Sequence, residues 1–160
     1  MELVNFEITD MEAGWFCARL SADGQMAELS HSYLGGGQIP GLFLSALCGL
    51  LEGTKGKTWL CWEAEGMTYL WHLCAEGDDL HLQVYEGTGS FRLPPEGPDM
   101  ESYVDGAALV DVHTSLYLFA SDVMEAFQTF NTEQGWADFV NPDFPFPEKA
   151  YKALRKILKG

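Results

Sequence analysis

At 160 residues the chain has the usual length of one domain, enough to bury about 70% of the surface that its unfolded form exposes. Hydrophobic residues make up 47% and aromatic residues 13%, five of them Trp, which excludes intrinsic disorder. The formal charge of −15 is uneven: Lys149, Lys152, Arg155, Lys156 and Lys159 set against Glu148 leave +4 in residues 148–160 and −19 in residues 1–147, a field that repels phosphate backbones and attracts cationic partners.

Neither nucleic acid nor membrane is therefore an expected partner. No apolar run approaches the ~18 residues of a spanning helix, and MELVNFEITDMEAG lacks both a basic start and an apolar signal core, so a cytoplasmic protein is expected. Cys17, Cys48, Cys61 and Cys74 lie in apolar segments without CxxC spacing, which predicts reduced thiols, at least three of them largely buried.

In chain order, residues 2–9, 14–21 and 25–31 predict three short strands forming an antiparallel meander. They are separated by Thr9-Asp10-Met11-Glu12 and by Ala22-Asp23-Gly24, whose Asp-Gly is a strong hairpin signal. Gly35-Gly36-Gly37 breaks the chain, Pro40 suits a first helical turn, and Leu42 to Leu51 is apolar almost all round, which predicts a buried helix ending near Gly53. Residues 57–64, 67–75 and 79–86, divided by Glu65-Gly66 and Gly77-Asp78, predict a second three-stranded meander. With two-residue turns, Leu60, Trp62, Tyr69, Trp71, Leu73, Leu82 and Val84 share a core face. Trp59, Cys61, Glu63, His72, Cys74, His81, Gln83 and Tyr85 fall on the other.

Residues 94–106, with three Pro, two Gly and four acids, read as a long exposed loop. A strand at about 107–113 leads to a helix starting at Thr114 or Ser115, with apolar residues from Leu116 to Phe130 at helical spacing and an end by Gly135. The prolines of 141–147 predict an extended, packed connector. The last helix, 148–159, places Ala150, Tyr151, Leu154, Ile157 and Leu158 on one side and the five basic residues on the other, which suits completion of the core. The expected architecture is a single α+β domain, residues 1–160: two antiparallel three-stranded meanders, as two sheets or one curved sheet, packed by a buried central helix and two C-terminal helices.

Several residue groups invite a chemical reading. The triple glycine before a helix is the kind of turn that cradles phosphate, but no Gly-Lys-Ser/Thr follows it. His72, Cys74 and His81 have the ligand types zinc favours, but a site there needs both one register and a fourth ligand. Asp111, His113 and Ser115 have the residue types of a hydrolase triad, without a Gly-x-Ser-x-Gly elbow and spaced along one strand, with Ser115 placed to cap the next helix. Nothing selects an acid/base pair such as Glu63 with Glu86. No catalytic residue, metal or cofactor is expected.

Ser32-Tyr33-Leu34 leading into the helix at 42–51, Trp62-Glu63 at a strand end, and Phe144-Pro145-Phe146-Pro147 before the last helix resemble a group of small acidic bacterial proteins without an established activity. The resemblance spans residues 30–158 in general order and implies no catalytic residue. In overall character the chain is also similar to the immunity proteins of bacterial toxin systems, which are compact, acidic and non-catalytic. The functional expectation is a non-catalytic module that binds a basic protein partner through Asp78, Asp79, Glu96, Asp99 and Glu101. The alternative is an enzyme or small-ligand protein whose site the sequence does not reveal.

Overall fold

The computed structural model describes residues 2–88, 94–97, 100–136 and 143–160. Strands β1 (Val4–Asp10), β2 (Trp15–Ala22) and β3 (Gln25–Ser32) form the expected antiparallel meander. Asp23 and Gly24 both adopt positive φ, 41° and 79°, so the tight turn between β2 and β3 has the twist that two antiparallel strands need. Helix α1 spans Ile39–Glu52 with Pro40 in its first turn and closes at Gly53 in the left-handed conformation.

Strands β4 (Lys57–Glu63), β5 (Thr68–Glu76) and β6 (Asp79–Gly87) pair as predicted, and a fourth strand joins them. β8 (Val104–Ser115) runs antiparallel to β6, with Leu82 opposite Val112 and Val84 opposite Val110, so the second meander is wider than expected. The strand expected at about 107–113 thus begins earlier, at Val104, and a register shift between the pairs Val84–Val110 and Glu86–Asp105 interrupts its alternation there, which is why its first three residues read as loop in the sequence. Within the segment expected as an exposed loop, the described residues form regular structure: β7 (Glu96–Gly97) adds two residues to the edge of β4, and a 3-10 turn at Glu101–Tyr103 leads into β8. Helices α2 (Leu116–Gln134) and α3 (Glu148–Lys159) complete an α+β fold of two antiparallel sheets and three helices.

One cluster of buried side chains draws on both sheets and all three helices. Phe43 of α1 is its hub, with ring centroids 4.8 Å from Trp71, 5.7 Å from Trp62 and 5.4 Å from Phe6. Among the described residues the indole N–H groups of Trp62 and Trp71 have no acceptor, a cost of about 1–3 kcal/mol each that the aromatic packing offsets. Phe119, Val123 and Phe127 of α2 and Leu154 and Leu158 of α3 close the cluster, and the basic residues of α3 face away from it. Asp122 of α2 accepts the Phe6 N–H at 2.6 Å and so occupies a donor on the outer edge of β1. The start of the Pro-rich connector lies outside the described residues; from Asp143 to Pro147 it has no helix or strand, and Phe144 is fully buried.

The triple glycine has a steric cause. A Cβ on Gly35 would come 2.5 Å from the Cβ of Glu63, and one on Gly37 would come 2.1 Å from the Asp143 carbonyl oxygen. The turn is thus wedged between β4 and the connector, held by a residue with no sequence signature, His31. Its imidazole is 1% exposed; Nδ1 accepts the Glu63 N–H at 2.8 Å, so the ring proton sits on Nε2 and is donated to the Gly36 carbonyl at 2.7 Å. This buried ring is neutral in the fold: burial lowers its pKa against the opposing influence of the Gly36 carbonyl and Glu63.

Two predictions follow from this packing. Below about pH 6.5 the unfolded chain takes up a proton that folded His31 refuses, so stability contributed by the neutral ring is lost as pH falls, with a slope of at most about 1.4 kcal/mol per pH unit. Urea midpoints at pH 7.5 and 5.5 should differ more for the wild-type chain than for His31→Gln, although the variant is less stable at both. Leu154, fully buried in α3, should not tolerate charge: Leu154→Asp should lower stability by about 3 kcal/mol or more, measured by denaturant unfolding, while Lys152→Ala changes it by less than about 0.5.

Candidate functional site

The alternation that sends Leu60, Trp62, Trp71, Leu73, Leu82 and Val84 into the core sends their sequence neighbours to the opposite face of the sheet. Cross-strand pairing there creates a row Trp59–His72–Gln83–Asp111 and beside it a row Lys57–Cys74–His81–His113. Trp59 stacks on His72 at 4.3 Å between centroids, and His81 stacks on His113 at the same separation. Hydrogen bonds tie the rows together. His72 Nδ1 is 3.2 Å from Gln83 Oε1, Gln83 Nε2 donates to Asp111 Oδ2 at 3.2 Å, and His81 Nε2 is 2.6 Å from Asp111 Oδ1. Because both oxygens are acceptors, His72 carries a proton on Nδ1 and His81 one on Nε2. Partial burial pushes the Asp111 carboxyl up, but its bonds from His81 and Gln83 and the nearby histidine charges outweigh this and hold it below the ordinary carboxylate range.

Toward the β7 edge this face hollows into a cavity of about 1120 Å³. Trp59, His72, Gln83 and Tyr85 line it from the sheet, Lys57 from the start of β4 and Lys55 from the turn before it, and Glu96 and Glu101 from the segment that crosses beside it. Lys55 Nζ lies 3.4 Å from Glu96 Oε1. Trp59, Tyr85 and Val104 pack against a small second cluster of Cys61, Leu70 and Met100. Burial, aided by Glu63, pushes the Cys61 thiol up to about 12, which leaves it protonated and inert at neutral pH.

The five acidic residues expected to meet a partner have separate surroundings. Asp78, although exposed, is bonded to the start of α2: its Oδ1 accepts the Tyr117 N–H at 2.8 Å, its Oδ2 accepts the Ser115 hydroxyl at 2.6 Å, and its backbone carbonyl accepts the Leu116 N–H. Asp79 lies 3.3 Å from His113 Nδ1. Glu96 and Glu101 meet at the cavity. Asp99 lies outside the described residues.

The other groups singled out from sequence do not converge on a reaction centre. Ser115 Oγ caps α2 by accepting the Leu118 N–H at 3.1 Å, while Asp111 bonds His81 of the neighbouring strand. Cys74 does stand opposite His81, in the register expected, but the polar bonds of His72 and His81 run to Gln83 and Asp111. Among the described residues no three His, Cys, Asp or Glu side chains gather in a way that could hold a metal ion. Glu63 and Glu86 occupy positions of opposite parity, Glu63 across from Thr68 and Glu86 across from Tyr69, and do not form a pair. All four thiols are unpaired; Cys48 and Cys61 are buried but Cys17 and Cys74 only partly, fewer than the three expected, because Cys17 and Cys74 lie on the more open faces of their sheets. Among the described residues no helix is long and apolar enough to cross a membrane.

The alternation of Trp59, His72, Gln83 and Tyr85 was visible in the sequence as a second sheet face. What turns that face into a cavity is the approach of Glu96 and Glu101, which has no local sequence signal.

No protein-family model matches the chain, and no curated relative does. Among solved structures the chain is similar to a chain of a CdiA-CT/CdiI toxin and immunity complex from Enterobacter cloacae, at 14% identity over 82% of this chain and 99% of that one, with a TM-score of 0.36. A likeness of that size carries no functional assignment.

The role of Asp78 as an internal cap is testable. Asp78→Ala should cost about 1–2 kcal/mol in denaturant unfolding, because it strips the first turn of α2 of an acceptor and Ser115 of its partner.

Proposed function

We propose that this chain is a non-catalytic cytoplasmic binding module that captures a basic protein partner, in the manner of an immunity protein neutralising a basic bacterial toxin. The observation that supports this best is the outer sheet face: an aromatic cavity rimmed by Glu96 and Glu101 and, among the described residues, lined by none of α1, α2 or α3, on a chain whose residues 1–147 carry −19. Opposite charge on the partner accelerates encounter through the long-range field, while Trp59 and Tyr85 supply the rigid amphipathic surface on which interface energy concentrates. The expected residues Glu96, Asp99 and Glu101 lie in one sequence segment with that rim, and Asp79 lies at the start of β6, across from Ser115 of β8.

The cavity volume favours a second reading, a small polar ligand, since about 300–1,000 Å³ is usual for such sites and this one is of that order. Association kinetics separate the two. With a basic partner co-purified from the native host, the on-rate should fall about tenfold or more between low and physiological salt, and fall further in the Glu96→Gln/Asp99→Asn/Glu101→Gln variant with the fold intact. An on-rate indifferent to both changes would remove the basic-partner reading and leave the small ligand.

A further inference from the structure

The cavity is lined, besides its two carboxylates, by two cations of the chain's own, Lys55 and Lys57, of which Lys55 pairs with a carboxylate. Lys55 reaches Glu96 across 3.4 Å, with the two side chains 48% and 28% exposed. That separation exceeds the roughly 2.7–2.9 Å of a good charge-assisted hydrogen bond, and an ion pair in such contact with water contributes little. The ammonium is therefore held loosely and is readily exchanged. What the rest of the lining offers suits a different cation better. Trp59 and Tyr85 present aromatic rings, with centroids 6.3 Å apart, beside Glu96 and Glu101. A guanidinium stacks flat on aromatic faces and grips a carboxylate bidentately through its planar fork of donors; an ammonium is attracted to the same groups but as a compact, strongly hydrated point charge without that planar match. The volume of about 1120 Å³ leaves room for such a side chain together with the backbone that carries it.

We infer that the cavity is the docking site for an arginine side chain of the basic partner, and that Lys55 is its internal competitor, occupying Glu96 until the arginine displaces it. This rests on the basic-partner reading and makes a prediction of opposite sign to ordinary intuition: removing a residue from the site strengthens binding there. Lys57 also lines the cavity, so an anion is the rival occupant and must be tested alongside.

The experiment follows the Trp59 indole N–H and the Gln83 side-chain amide by NMR in the full chain, on titration with blocked tri-arginine, tri-lysine and tri-citrulline peptides and with inorganic phosphate. Tri-arginine should shift both signals more strongly than tri-lysine, and tri-citrulline and phosphate should leave them in place. Lys55→Met keeps the aliphatic stem and should tighten tri-arginine binding about threefold, the scale of one exposed ion pair. Lys159→Met, which changes the net charge equally but lies on α3, should have a much smaller effect, and Glu96→Gln/Glu101→Gln should weaken binding. The inference is overturned if Lys55→Met and Lys159→Met behave alike, if citrulline serves as well as arginine, or if phosphate alone moves Trp59. Should tri-arginine leave Trp59 unmoved while whole-partner association keeps its salt dependence, this docking site is wrong and the binding-module reading stands.

Discussion

Trp71 and His72 are neighbours in the chain and point to opposite sides of one sheet, and most of what this molecule does depends on that division. On one side, Trp71 stands edge-on to Phe43 with Trp62 beside it, at the centre of a cluster that reaches both sheets and all three helices. On the other, His72 stacks under Trp59 and bonds Gln83. Because side chains alternate with a period of two, a slip of one residue would bury His72 and Gln83 and expose Trp71 and Leu82, a loss of several kcal/mol in burial alone. The core therefore enforces the composition of the outer face. Packing dictates where the polar and aromatic groups of the candidate site stand.

How much of this was legible in the sequence depended on the range of the interactions involved. The strands β4, β5 and β6 and the residues on each face could be read directly, since alternation and the Glu65-Gly66 and Gly77-Asp78 turns are local signals. So could α1, α2 and α3, whose apolar spacing and end signals lie within the helices themselves. The addition of β8 beside β6 could not, because its register shift masks the period of two and its pairing joins residues about thirty apart, such as His81 and His113. His31 went unnoticed for a similar reason: a single histidine at the end of a strand says nothing of a Glu63 N–H thirty-two positions away. The triple glycine was conspicuous, but its cause, contact with Glu63 and Asp143, appears only once the chain is folded.

Net charge alone overstates what is available to a partner. Asp78 serves the N-terminus of α2, Asp122 serves the edge of β1, and Asp111 serves the polar rows of the sheet. These carboxylates add to the long-range field but their close contacts are already made. Glu7 and Glu28 share Arg19 across the first sheet, at 2.8 and 2.6 Å. At the cavity, among the described residues, Glu96 pairs loosely with the exposed Lys55, and Glu101 begins an exposed 3-10 turn. Which carboxylates already have close contacts within the chain is something that composition cannot reveal.

Core packing imposes one register on the second sheet and thereby builds the outer face. Ring-to-ring nuclear Overhauser contacts in solution test it most directly. The account predicts contacts from the Trp59 indole to the His72 imidazole and from His81 to His113, with none from Trp59 to Phe43. Contacts from Trp59 into the Phe43 ring, or from Trp71 to Gln83, would show the sheet in the opposite register and contradict the account.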